Sequence, residues 1–188
     1  MRPFLPAMAA VAALVLWLIP LLRMRRRNQA KTVQALDRRA RWGVLLEAVG
    51  YTVVWLSEFW HGGVALAPWR LVLGLGLLGW AVAISWWAAA ALGSHLRIDA
   101  SLSTEHELIR SGPYGWVRHP VYASFLGLVV GTGLLLVAPG WLLVLGTGVF
   151  LCGTEIRVRV EDELLRVRFG GEFEEYRRSG SAYLPGIR

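Results

Sequence analysis

Long apolar runs separated by short polar connections dominate the chain. Phe4 to Leu22 contains no charged residue in 19 positions, which suffices to cross a hydrocarbon core of about 30 Å as a helix that rises about 1.5 Å per residue. Trp42 to Trp60 and Pro68 to Gly93 are two further apolar runs of similar length. The pattern therefore predicts three membrane-spanning helices in the first half of the chain. A cleaved signal peptide is the alternative for the first run, but no small-x-small cleavage site follows it.

The fourth apolar run is longer than one span requires. Val121 to Leu151 comprises 31 uncharged residues, and Pro139-Gly140 interrupts it near the middle. Proline followed by glycine breaks a helix, so the run predicts a tight helical hairpin of Val121–Val137 and Trp141–Leu151. The second helix is expected to continue beyond the membrane into the charged tail. These spans together predict an all-α membrane protein of five transmembrane helices, in a single domain over residues 1–188.

Composition agrees with a membrane protein. Hydrophobic residues make up 55% of the chain and ten residues are Trp, and the mean hydropathy is +0.47. These values are too apolar for an ordinary soluble domain. The lone Cys152 allows neither an internal disulfide nor a cysteine metal cluster.

The distribution of basic residues predicts the orientation. Of the 20 lysines and arginines, 18 fall in residues 23–41, 93–120 and 157–188. Five spans place these three segments on one side of the membrane, and the positive-inside rule makes that side the cytoplasm, with the N-terminus outside. The net charge of +7 thus reports topology and contact with the lipid bilayer, and a nucleic-acid partner is not expected. The Arg- and Ala-rich composition suits a bacterium of high genomic G+C content, so a bacterial inner membrane is the expected location.

Polar residues that can carry chemistry lie in two stretches beside the membrane. One runs from Gly93 to Tyr122, and the other is the helix after Leu151. Arg157 and Glu161 are four residues apart in that helix and share one face. Because a hairpin returns the chain to the side that it left, the two stretches are expected to converge in a cytoplasm-facing pocket.

The motifs in these stretches resemble those of a known family. Gly112-Pro113-Tyr114, then Arg118-His119-Pro120-x-Tyr122, and an acidic pair about forty residues later are similar to the isoprenylcysteine carboxyl methyltransferase (ICMT) family of integral membrane enzymes that use S-adenosylmethionine. His106-Glu107-Leu108-Ile109 matches a further family segment. The resemblance covers roughly residues 92–185, which would be the catalytic half. Here the family's usual Glu-Glu pair is Glu161-Asp162, so the sequence leaves the role of Asp162 open.

The resemblance implies roles for particular residues. Arg157 would hold the carboxylate of the acceptor, and Glu161 would act beside it in catalysis. Contacts to S-adenosylmethionine would come from ten positions: His106, Glu107, Leu108, Ile109, Tyr114, His119, Pro120, Val121, Tyr122 and Glu161. The implied activity is methylation of a carboxylate on a lipid-like or prenylcysteine-like acceptor.

The chemistry suits these residues, since an arginine fork can bind a carboxylate through two hydrogen bonds. A carboxylate is already a competent nucleophile, so positioning and exclusion of water are expected to dominate the catalysis.

Several alternatives remain open from the sequence alone. A lipid N-methyltransferase of the same architecture would bind the same cofactor, and a non-catalytic membrane scaffold would retain only the fold. For the individual residues, the alternative is that Arg157 and Glu161 form no more than a solvated ion pair and that Arg118 is a membrane-surface anchor. No metal site is expected, because His95, His106 and His119 lack helical ligand spacing. His61 and His95 receive no role, and the oligomeric state and the identity of the acceptor are not encoded in any motif.

Overall fold

Six α-helices and one two-stranded sheet make up the described part of the chain. The computed structural model describes residues 4–28, 33–36, 39–60, 65–93, 101–103, 108–184 and 186. The helices are α1 (Phe4–Asn28), α2 (Ala40–Leu56), α3 (Pro68–Leu92), α4 (Pro120–Leu135), α5 (Gly140–Phe169) and α6 (Gly171–Ser179). The strands are β1 (Val33–Leu36) and β2 (Ser101–Ser103), which pair antiparallel. The all-α prediction holds for the bundle and misses this small sheet.

The helices coincide with the predicted segments, with shifted ends. The second predicted span divides into α2 and a 3₁₀ turn over Ser57–Trp60. The hairpin helices are α4 and α5, and α5 runs without interruption from the apolar segment into the charged tail, as predicted. Among the described residues, α1, α3 and α5 are long and apolar enough to cross a membrane. Helices α2 and α4 have 17 and 16 residues, so the arrangement of five spans stays a prediction.

Proline and glycine set the helix boundaries near the site. Pro68 and Pro120 occupy the first turns of α3 and α4, where the missing N–H would have had no intrahelical partner. Between α4 and α5, Val137 adopts a left-handed conformation with φ of 55°, and Pro139 precedes the first residue of α5. This connection reverses the chain within four residues, as the Pro-Gly break predicted.

The bundle is organised by two helix pairs. Helix α2 packs along α5, and α3 packs along α4, while α4 and α5 contact each other less despite their short connection. Helix α1 covers α3 and α4 through a buried cluster that includes Trp17, Leu78 and Leu128. The indole of Trp17 also donates a buried hydrogen bond to Ser124 at 2.9 Å. The predicted hairpin therefore exists, but each of its helices has another main partner.

Small residues allow the close approaches within these pairs. A Cβ on Gly131 would lie 3.0 Å from the Gly74 carbonyl oxygen, and one on Gly127 would lie 2.7 Å from the Trp80 ring. Small residues at such positions are typical of close helix packing, and four of the glycines meet a neighbouring helix: Gly74, Gly127, Gly131 and Gly146. Additional Cβ atoms on Gly76, Gly79 and Gly148 would meet nothing within 4 Å.

The three basic segments meet at one end of the bundle. Strand β1 follows α1 and pairs with β2, which precedes α4. Arg39, just before α2, forms an ion pair of 2.7 Å with Glu163 on α5, and Arg110 forms one of 3.3 Å with Glu172 on α6. The first loop, the connection before α4 and the tail therefore share one end, as the charge pattern required.

Candidate functional site

The Arg118–His119 turn lies between a 3₁₀ helix and the start of α4. Gly112 opens the Gly112–Gly115 turn with φ of 61°, a conformation that glycine adopts without steric cost. After it, the chain pairs with the segment that follows α6. The backbone N–H of Arg118 donates to the Ser181 carbonyl at 3.0 Å, and that of His119 donates to the Ala182 carbonyl at 2.8 Å. The C-terminal segment thereby fixes the two residues that precede Pro120.

Arg118 is a buried structural residue, with 4% of its surface exposed. Its guanidinium donates to the carbonyl oxygen of Arg177 at 3.1 Å and to that of Gly180. It also lies 3.5 Å from the Asp162 carboxylate. The alternative of a membrane-surface anchor is therefore wrong for this residue, because the side chain is directed into the protein, where it fastens the end of α6.

His119 lies between two consecutive carboxylates of α5. Its Nε2 is 2.8 Å from Oδ1 of Asp162, and its Nδ1 is 3.3 Å from Oε2 of Glu161. Only the imidazolium donates from both ring nitrogens. Burial of the ring opposes its charge, but the hydrogen bonds to Asp162 and Glu161 and the attraction of their charges together outweigh burial and raise the pKa of His119 to about 9. At neutral pH the ring therefore carries a positive charge that both carboxylates stabilise.

Tyr122 connects His119 and its two carboxylates with Arg157. Tyr122 lies in the first turn of α4, and its hydroxyl donates to Oε1 of Glu161. The guanidinium carbon of Arg157 lies 4.9 Å from the centroid of the same ring, which is within the range of a cation–π contact. Tyr122 therefore has Glu161 at its polar tip and Arg157 over its face.

Arg157 and Glu47 complete a cluster of side chains that also contains His119, Tyr122, Glu161 and Asp162. Nη1 of Arg157 is 2.7 Å from Oε2 of Glu47 on α2, and Oε1 of Glu47 accepts from the Thr154 hydroxyl at 3.1 Å. The predicted helical face of Arg157 and Glu161 is confirmed, because both contact Tyr122. Glu47 was missed as a site residue. The sequence did contain a signal, because an ionisable residue inside an apolar span is by default a candidate functional residue.

The remaining predicted cofactor residues surround the turn or lie outside the described residues. Tyr114 and Pro120 are buried, while Leu108 and Ile109 are partly buried before the 3₁₀ helix. The side chain of Val121 packs against the apolar cluster of α1, α3 and α4. His106 and Glu107, like His61 and His95, fall outside the described residues. Among the described residues, no group of three His, Cys, Asp or Glu side chains is placed to hold a metal ion.

The three carboxylates of the cluster differ in accessibility. The side chain of Glu161 is 25% exposed, against 5% for Asp162 and 3% for Glu47. A cationic ligand would therefore reach Glu161 more readily than the other two. Asp162 instead bridges Arg118 and His119.

Most of the site residues lie within a match to a protein-family model. The model of the isoprenylcysteine carboxyl methyltransferase (ICMT) family matches residues 73–167, which is half of the chain. The chain belongs to this family. The matched range contains the turn, Tyr122, Arg157 and Glu161, and it excludes Glu47 and the C-terminal segment that pairs with the turn.

Curated relatives carry the name protein-S-isoprenylcysteine O-methyltransferase. The protein of that name from Saccharomyces cerevisiae is 32% identical over 94 residues, which are 50% of this chain and 38% of the yeast protein. The human protein of that name is 26% identical over 166 residues, 77% of this chain and 54% of the human one. A probable member from Oryza sativa subsp. indica is 39% identical over 87 residues, 44% and 43% of the two chains. The ICMT-family chain described here thus spans about half the length of these relatives.

Proposed function

We propose that this protein is an integral membrane methyltransferase that transfers a methyl group from S-adenosylmethionine to the carboxylate of a lipid-like acceptor. The observation that carries this proposal is the position of Arg157. Its guanidinium lies over the ring of Tyr122, whose hydroxyl bonds to Glu161. A carboxylate-binding group and the most accessible acidic group of the cluster are therefore separated by one aromatic ring.

The residues present fit S-adenosylmethionine. When bound, this cofactor supplies a methyl group activated by a positively charged sulfonium. Glu161 provides a partly exposed negative charge, which suits a cationic ligand. We assign the cofactor contacts to His119, Tyr122 and Glu161, and by family resemblance to His106, Glu107, Leu108, Ile109, Tyr114, Pro120 and Val121.

Arg157 is assigned to the acceptor. Its planar guanidinium stays charged in an apolar setting and matches the geometry of a carboxylate. Its side chain is 12% exposed and that of Glu47 is 3% exposed, so water has little access to this end of the cluster. Holding the acceptor carboxylate there fixes its orientation, and little further chemistry is asked of the protein because the carboxylate is itself the nucleophile.

Two observations support the proposed acceptor class. Curated relatives are named for S-isoprenylcysteine, and apolar side chains on α1, α3 and α5 are exposed, among them Phe4, Val72 and Val144. A prenylcysteine-like or other lipid-like carboxylate could then enter laterally from the bilayer. In the proposed orientation the N-terminus lies outside, and the pocket faces the cytoplasm of a bacterial inner membrane, where S-adenosylmethionine is available.

The proposal is tested with purified protein in detergent and S-adenosylmethionine labelled in its methyl group. Acceptors are an S-prenylcysteine, its carboxamide analogue as matched control, and phosphatidylethanolamine. We expect label in the prenylcysteine alone, as a methyl ester that alkali hydrolyses to methanol. Alkali-stable label in the amine lipid would replace carboxyl methylation by N-methylation. Folded protein that binds no S-adenosylmethionine would support a scaffold.

A further inference from the structure

Glu47 is a carboxylate buried within an apolar helix. It lies in the second turn of α2 and is 2% exposed. Burial of an ionised carboxylate is costly unless it is paired and hydrogen-bonded. Its retention in a segment that is otherwise apolar calls for a partner or a function.

Both oxygens of this carboxylate are held by α5. Oε2 lies 2.7 Å from Nη1 of Arg157, and Oε1 accepts from the hydroxyl of Thr154 at 3.1 Å. Thr154 and Arg157 are three residues apart and share a face of α5. The two contacts fix the carboxylate in position and orientation, and with it the end of the arginine side chain.

Close backbone contact between α2 and α5 keeps Glu47 next to Arg157. An additional Cβ on Gly153 would lie 2.5 Å from the Gly43 carbonyl oxygen, and one on Gly50 would lie 2.5 Å from the Gly146 carbonyl oxygen. These two crossings lie on either side of Glu47 along α2. A Cβ on Gly43 would also overlap Cγ of Arg157, so the glycine leaves the space in which the arginine stem lies.

We infer that Glu47 is a positioning residue that holds the guanidinium of Arg157 in place for the acceptor carboxylate. This inference rests on the proposed function. A guanidinium has five N–H donors in a rigid fork, so it can bind Glu47 through Nη1 and a second carboxylate at the same time. The cation–π contact with Tyr122 orients the plane of the fork, and the bond to Glu47 fixes its rotation about the end of the side chain.

Loss of Glu47 should have different effects if the residue is only structural and if it positions Arg157. A residue with only a structural role would, when replaced, impair cofactor binding and acceptor turnover together. A residue that acts through Arg157 would impair turnover of the acceptor and leave the affinity for S-adenosylmethionine unchanged, because the cofactor contacts are assigned to Glu161 and His119. The effect should also vanish once Arg157 is removed.

The test is a double-mutant cycle of Glu47→Gln and Arg157→Ala in the full-length protein. Glu47→Gln preserves side-chain volume, and Glu155→Gln is the matched control, since Glu155 pairs with the exposed Arg159 on the opposite side of α5. We expect Glu47→Gln to lower kcat/KM for the prenylcysteine about tenfold, the loss of one charge-assisted contact, with cofactor affinity within about twofold of the wild type. In the Arg157→Ala background the same substitution should have no further effect on kcat/KM, and its shift of the melting temperature should be smaller than in the wild type.

The outcomes distinguish this inference from the proposed function. An Arg157→Ala protein with wild-type turnover would overturn the assignment of the acceptor site itself. If Arg157→Ala loses turnover but Glu47→Gln retains the wild-type kcat/KM, only the positioning role is overturned. Equal losses from Glu47→Gln in both backgrounds, or a parallel loss of cofactor affinity, would also overturn it.

Discussion

Nε2 of His119 lies 2.8 Å from Oδ1 of Asp162 on α5, a buried contact between residues 43 apart in sequence. The same carboxylate lies 3.5 Å from the guanidinium of Arg118. Asp162 therefore joins α5 to both residues of the turn that opens α4, and Arg118 extends this connection to the end of α6. The turn that carries His119 is therefore held by a buried carboxylate of α5.

Asp162→Ala should destabilise the protein strongly. Removing one partner of a buried ionic group leaves the other charges uncompensated, at a cost of about 3 to 5 kcal/mol. The adjacent Glu163→Ala is the matched control, because the ion pair of Glu163 with Arg39 is exposed and such pairs contribute about 0 to 1 kcal/mol. Thermal unfolding in detergent measures both. Equal melting temperatures for the two variants would contradict the role given to Asp162.

Stability should also fall as the pH rises through the pKa of His119. Hydrogen bonds to Asp162 and Glu161 overcome the effect of burial and raise this pKa from 6.5 to about 9. A raised pKa means that the stabilising contribution is complete below the unfolded value and is lost as pH rises through about 9. The melting temperature of the wild type should therefore decline between about pH 6.5 and about pH 9, and His119→Asn should decline less. Parallel curves would show that His119 does not carry the charge.

The sequence alone predicted the apolar helices and the shared helical face of Arg157 and Glu161. Long apolar runs and the Pro139 break located these helices, and the spacing of Arg157 and Glu161 placed both on one face. The partners of these residues were not predictable, because Glu47 lies 110 residues from Arg157 and no local pattern specifies which face of α2 meets α5. The pairing of β1 with β2 was missed for a similar reason, since three- and four-residue strands in polar loops have too little alternation to detect.

Cysteine labelling tests the orientation across the membrane. The prediction of a cytoplasmic charged end requires that Gln34→Cys and Ser179→Cys react only with reagents that reach the cytoplasmic side. Gly63→Cys should react only from outside. The background for these measurements is a Cys152→Ser protein, because Cys152 is exposed. Labelling of Gly63→Cys from the cytoplasm would rule out the arrangement of five spans.

Glu161 is proposed to bind the cofactor, and Arg157 is proposed to bind the acceptor carboxylate. The two side chains lie on the same helix and contact the same tyrosine, so Glu161→Ala and Arg157→Ala are matched variants of one cluster. His119→Ala, which removes a proposed wall of the cofactor site, should likewise weaken cofactor binding.

The most direct measurement determines S-adenosylmethionine affinity and acceptor turnover on the same preparations of these variants. Arg157→Ala should bind the cofactor nearly as the wild type does and lose roughly ten- to hundredfold in kcat/KM, which corresponds to a charge-assisted contact of about 1.5 to 3 kcal/mol. Arg157→Lys should recover little, because one ammonium cannot reproduce the planar fork, and Glu161→Ala should bind the cofactor more weakly. Wild-type turnover in Arg157→Ala, or wild-type cofactor affinity in Glu161→Ala, would contradict this division of the site.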